Sequence, residues 1–179
     1  SGKALWVSSA ARSDAWIAQY LGASPVRERL SGFFPAWNTA LINAQFLQNE
    51  APALPLLSPE VQLVSSGIPA PNTRLLLFKV KSPRRARALF LSAPENEILE
   101  SWVNGIRLGS PQEARYPSSR WALRYANVPA DGIELKLLVK GAGTLKLFVV
   151  DRSSGLPDVP GRSFSPRPAD SMPFHLGDV

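Results

Sequence analysis

From residue 60 onward the chain falls into short apolar runs separated by turn residues, and this spacing constrains the fold more than any other feature. Strand-like runs occupy 61–64, 74–81, 87–92, 97–103, 120–127, 132–140 and 144–150. Seven such segments in about ninety residues predict a β-sandwich. In the sixth run Ile133, Leu135, Leu137 and Val139 are two apart, while Glu134, Lys136 and Lys140 alternate with them. That period places one face in a core and the other in water. The same alternation sets Trp121, Leu123 and Tyr125 against Arg120 and Arg124, and Leu145, Leu147 and Val149 against Lys146. Leu138, Phe148 and Val150 interrupt the polar faces and predict that part of the outer surface is covered.

The connections decide the direction of pairing. None contains a helical segment of about a dozen residues, so parallel crossover units are not expected and the sheets are expected to be antiparallel. Asn104-Gly105 is the pair preferred in two-residue hairpins, and Asp131-Gly132 and Gly141-Ala142-Gly143 mark further turns. The 17 Pro and 12 Gly mostly punctuate apolar runs, which again favours an all-β class. The expectation is therefore an antiparallel, jelly-roll-like sandwich over 60–150.

The flanking segments read differently. Ala4-Leu5-Trp6-Val7 is strand-like, and 14–21 has helical spacing, with Trp16, Ile17, Tyr20 and Leu21 on one side, Ser13 as a candidate cap and Gly22 as the stop. Residues 33–59 are mixed, with Trp37, Leu41, Ile42, Phe46 and Leu47 leading into a connector broken by Pro52, Pro55 and Pro59. Residues 1–59 are expected to pack on the sandwich within a single domain. After Asp151 the prolines at 157, 160, 166, 168 and 173 predict an extended strap over the sandwich, anchored by Leu156, Phe164, Met172 and Phe174. Ser1-Gly2 reads as the remnant of a cleaved tag, which predicts that the natural protein continues upstream.

Catalytic chemistry finds little to work with. There is no Cys, which excludes disulfides, thiol catalysis and Cys-zinc sites. The one histidine, His175, reads as a surface residue of the strap, since transition-metal sites recruit several ligands together. The motifs of phosphate loops, nucleophile elbows, helical zinc peptidases and EF-hands are missing. Glu95, Glu97 and Glu100 are close in sequence, but Glu97 and Glu100 differ in strand parity and are expected on opposite faces, which argues against a glycosidase pair.

Two surface features remain. The net charge of +6 is densest at Lys79, Lys81, Arg84, Arg85 and Arg87. This cluster reads either as a solvated strand edge and turn or as a patch for anionic lipid headgroups or nucleic acid; nucleic acid is not expected as the partner. The aromatic residues fill a core or form a sugar-stacking platform. Trp121 and Tyr125 share the apolar face and are assigned to the core, whereas Trp102, beside the Asn104-Gly105 turn, is the candidate exposed ring.

Several phrases carry a family resemblance: KALWVSS, LPLLSPEVQLVSSG, RLLLFKVKSPRRARALFLS, WVNGIRL, RYANVPADGIELKLLV, DRSSGLPDVPGRSFSPRP and SMPFHLGDV. Together they resemble the C-terminal accessory domain of membrane-anchored zinc aminopeptidases, the group of endoplasmic reticulum metallopeptidase and its bacterial relatives. The resemblance implies a soluble, non-catalytic domain on the extracytoplasmic, periplasmic side of a membrane. Its partners would be the peptidase domain and membrane segments of the same polypeptide, with an anionic membrane surface nearby. Zinc is then expected only in the separate peptidase domain, and no cofactor in this chain. The alternative from the residues alone is a carbohydrate-binding sandwich module.

Overall fold

The computed structural model of the chain describes residues 2–30, 44–109 and 121–169. The chain divides into two compact units, Ser1–Leu56 with Gly155–Val179, and Leu57–Ser154.

The first unit is built on β1 (Ala4–Ser8), α1 (Ala15–Leu21), β2 (Val26–Arg29) and β3 (Gln45–Ala51). β3 is the central strand, antiparallel to β1 from Ala4 opposite Ala51 to Ser8 opposite Leu47, and to β2 from Val26 opposite Gln48 to Arg29 opposite Gln45. Its Leu47 and Gln48 are consecutive and both buried, so it lacks the clean alternation that marks a one-faced strand. For that reason sequence spacing reads it as part of a mixed stretch. Phe33, Trp37, Leu41 and Ile42 lie outside the described residues, as do Arg120, Met172, Phe174 and His175.

Helix α1 begins one residue later than a Ser13 cap requires. Asp14 has extended backbone and its Oδ1 accepts from the Ile17 N–H at 2.7 Å. A carboxylate is a good cap because it satisfies an orphan N–H and complements the positive end of the helix. Gly22, at φ 70°, donates its N–H to Ala18 O and ends the helix. The free carbonyl of Leu21 accepts from Asn49 Nδ2 at 2.8 Å. Trp6, Leu21, Leu47 and Val159 form the core of this unit, with Ile17, Tyr20, Leu54, Leu156 and Phe164 packed on it. Leu156 and Phe164 thus anchor the proline-rich segment, and the surface they pack on belongs to the N-terminal residues.

The second unit is the expected all-β structure. It contains β4 (Glu60–Gly67), β5 (Thr73–Lys81), β6 (Ala88–Ala93), β7 (Ile98–Val103), β8 (Ile106–Gly109), β9 (Trp121–Ala126), β10 (Ile133–Lys140) and β11 (Phe148–Arg152). Five strands form one sheet in the order β4-β5-β10-β7-β8, three form another in the order β11-β6-β9, and every pair is antiparallel. From β5 onward the chain passes repeatedly from one sheet to the other, the winding of a jelly-roll sandwich. The β4–β5 and β7–β8 links stay within one sheet. The second hairpin turns through Asn104 at φ 49° and Gly105 at φ 81°. Two left-handed residues are what a type I′ turn demands, hence the Asn-Gly pair.

The core lies between the sheets. Ile133, Leu135, Leu137 and Val139 of β10 are fully buried, with Val80, Leu89, Leu91, Ile98, Val103 and Trp121 around them. Leu123, Tyr125, Leu145, Leu147 and Val149 pack against this cluster. The final strand starts later than the alternation predicts, at Phe148. Before it, Asn96 donates to Thr144 O at 3.1 Å and accepts from Lys146 N at 2.9 Å, occupying backbone groups that a ladder would use. Leu145 and Leu147 therefore reach the core from a loop. Strand β8 is the partner that the Asn104-Gly105 hairpin requires, although Ile-Arg-Leu-Gly is too short to show a period of its own.

Candidate functional site

Lys79 and Lys81 leave the end of β5 on one face of the sheet, opposite Glu134 and Gln62, and Glu60, respectively. Lys79 Nζ lies 3.7 Å from Asp131 Oδ2, with both side chains well exposed. Lys81 is exposed. Beyond it the chain turns sharply, Arg85 N–H donating to Ser82 O at 3.0 Å while Arg85 takes a left-handed φ of 52°. Arg85 and Arg87 are exposed, with buried Ala86 between them.

Arg84 behaves differently. Its guanidinium pairs with Asp151 of β11, whose side chain is only 3% exposed. The same carboxylate accepts from Ser82 Oγ, and Ser82 Oγ in turn accepts from the Ala86 N–H at 3.1 Å. An unpaired carboxylate at that depth would be costly, so Arg84 is committed to holding the turn on β11. The five-cation cluster is thus reduced at the surface to Lys81, Arg85 and Arg87, which have no ion-pair partner among the described residues. Asp151 escaped sequence reading, although a signal was present: it continues the inward parity of Leu147 and Val149, and an inward carboxylate requires a cation.

Trp102 sits on the outer face of the five-stranded sheet, opposite Lys136 of β10 and Arg107 of β8. It is half-buried, and Lys136 Nζ lies 4.4 Å from its ring centroid. The cation–π contact occupies one face of the ring. Leu75, Leu77 and Leu138 are half-buried on the same face. Trp121, by contrast, is in the core at 4% exposure. The three glutamates of the suspected carboxylate group each meet a different cation: Glu95 with Lys146 at 2.6 Å, Glu97 with Lys140 at 2.9 Å, and Glu100 with Arg107 at 3.3 Å. They are not brought together.

A third feature was not singled out from sequence. Every residue of β4 is exposed, including Val61 at 44%, Leu63 at 53% and Val64 at 56%, and Ile68 follows at 79%. Val61 and Leu63 face the core side of the sheet beside Val80 and Phe78, so their alternation looked like that of a half-buried strand. They stay open to solvent at the edge of the five-stranded sheet.

Among the described residues no three His, Asp or Glu side chains converge as metal ligands, and no helix is long and apolar enough to cross a membrane. Comparison with family models, curated proteins and solved structures found no match.

Proposed function

We propose that the chain is a non-catalytic accessory domain of a membrane-bound zinc-dependent aminopeptidase, located on the extracytoplasmic side and serving to shield or orient the peptidase domain or to govern substrate access. The observation that carries this reading is the apolar edge strand β4. An edge strand of eight residues with one charge, Glu60, lacks most of the charge that normally protects such an edge from pairing. Its one protective device is the bulge between Leu63 and Ser65. Exposed apolar side chains in such a row mark a surface that another protein surface covers. A peptidase domain in the same polypeptide supplies that surface at high effective concentration. The zinc that the resemblance implies would sit in the separate peptidase domain of the parent protein.

The reading frame upstream of Lys3 tests the context: a zinc peptidase domain and membrane spans are expected, and a frame with neither overturns the proposal. In that full-length protein, Val61→Lys with Leu63→Lys is expected to lower aminopeptidase activity or resistance to proteolysis. In the isolated chain the pair should change stability by only about 1 kcal/mol, because about half of each side chain is already in water. Unchanged activity and unchanged proteolysis would reject β4 as the docking edge.

Lys81, Arg85 and Arg87 support a secondary contact with anionic lipid, each near-surface cation contributing about 1 kcal/mol. Replacing all three with Gln is expected to weaken co-sedimentation with anionic vesicles at least about tenfold. Arg84→Met combined with Asp151→Leu, which removes the buried pair as a unit and leaves the net charge unchanged, should leave binding nearly unchanged. Binding that is indifferent to salt and to the triple substitution would remove the lipid contact.

A further inference from the structure

The segment 164–168, Phe-Ser-Pro-Arg-Pro, is held against α1 by contacts that recognise its backbone as well as its side chains. Gln19 makes a two-point contact with Ser165: its Nε2 donates to Ser165 O at 3.1 Å, and its Oε1 accepts from Ser165 N–H at 2.6 Å. Trp16 Nε1 donates to the same carbonyl at 3.0 Å. One side chain thus reproduces the pairing of a strand edge, and an indole supplies a third bond. On either side of Ser165 the contacts are to side chains. The ring of Phe164 stacks on Tyr20 at 4.3 Å and meets Trp6 edge-on at 5.9 Å. The guanidinium of Arg167 lies over Trp16, 4.1 Å from its centroid.

Pro166 and Pro168 fix φ and donate no N–H, so the segment is biased toward an extended form before it docks. Aromatic grooves that bind extended proline-bearing peptides use this chemistry: ring faces for the side chains, an indole N–H and an amide for the backbone. We infer that α1, through Trp16, Gln19 and Tyr20, is a recognition site for extended peptides of the pattern aromatic-Ser-Pro-Arg, and that residues 164–168 are its built-in ligand. All the polar contacts are solvent-exposed, which makes the ligand exchangeable: a peptide of the same chemistry supplied from outside can replace the strap.

The test uses the full chain carrying Ser165→Pro, which deletes the N–H that Gln19 accepts and leaves every cleft residue intact. Tryptic cleavage after the exposed Arg162 reports strap release and is expected to accelerate in this variant and in Gln19→Ala. A fluorescein-labelled peptide of residues 162–169 should bind the Ser165→Pro chain by anisotropy. It should bind the unmodified chain at least about tenfold more weakly, because the cleft is filled in cis. Adding Gln19→Ala to Ser165→Pro should weaken peptide binding about tenfold or more through the loss of two hydrogen bonds. Three results overturn the inference: unchanged cleavage in both variants, no peptide binding to a chain whose strap is released, or binding insensitive to Gln19→Ala.

Discussion

Gly132→Ala is expected to destabilise the sandwich by at least about 3 kcal/mol, a loss of roughly 12 °C or more in melting temperature for a unit of this size. Gly132 has φ 83°, in the left-handed region that disfavours a side chain. A Cβ there would lie 2.2 Å from the Val80 carbonyl oxygen and 3.0 Å from Lys81 Cα. Neither atom can retreat easily. Val80 is fully buried and sits between Ile133 of β10 and Val61 of β4, so moving its carbonyl disturbs two ladders. Gly105 is the control, since it has a similar φ of 81° with nothing within 4 Å of its added Cβ. Gly105→Ala should therefore lose only the backbone preference, about 1 kcal/mol. Urea midpoints of the two variants measure the difference, and equal losses would show that the close approach to Val80 has no energetic weight.

Asp151→Ala is the second large effect, expected to cost about 3 kcal/mol. The substitution leaves Ser82 Oγ without its acceptor and strands the guanidinium of Arg84, whose side chain is 25% exposed and whose Nε has no partner even in the intact protein. A group deprived of its counter-charge at partial burial loses more than the net strength of the pair. Arg84→Met combined with Asp151→Leu should recover most of the loss, because no charge then remains uncompensated. A double-mutant cycle by urea denaturation checks this. Additive single losses would mean that the two residues act independently. Together with the lipid experiment this separates two roles within one basic run: Arg84 changes stability, Arg85 and Arg87 change surface charge.

The folded unit explains why the basic run looked more uniform in sequence than it is. Lys79, Lys81, Arg84, Arg85 and Arg87 are equivalent as charges per residue. Their difference depends on Asp151, which lies 67 positions from Arg84 and joins it only because β11 pairs with β6. Trp102 shows the same dependence. Its position beside a hairpin turn was readable, but the Lys136 ammonium over its ring follows from the β7–β10 register.

Local periodicity and turn chemistry sufficed for the class of fold. The alternation in β10 selected which side chains are buried, and Asn104-Gly105 selected a hairpin, because side-chain parity and left-handed φ are properties of a few adjacent residues. What required tertiary structure were relations between distant residues. The exposure of Val61 and Leu63 depends on the edge position of β4 in its sheet, the role of Arg84 on a carboxylate in another strand, and the place of Phe164 on the aromatic rings of β1 and α1. The clearest case is the proline-rich segment: its prolines announce an extended chain, but an extended chain makes no internal contacts, so only the surface it meets decides where it is held.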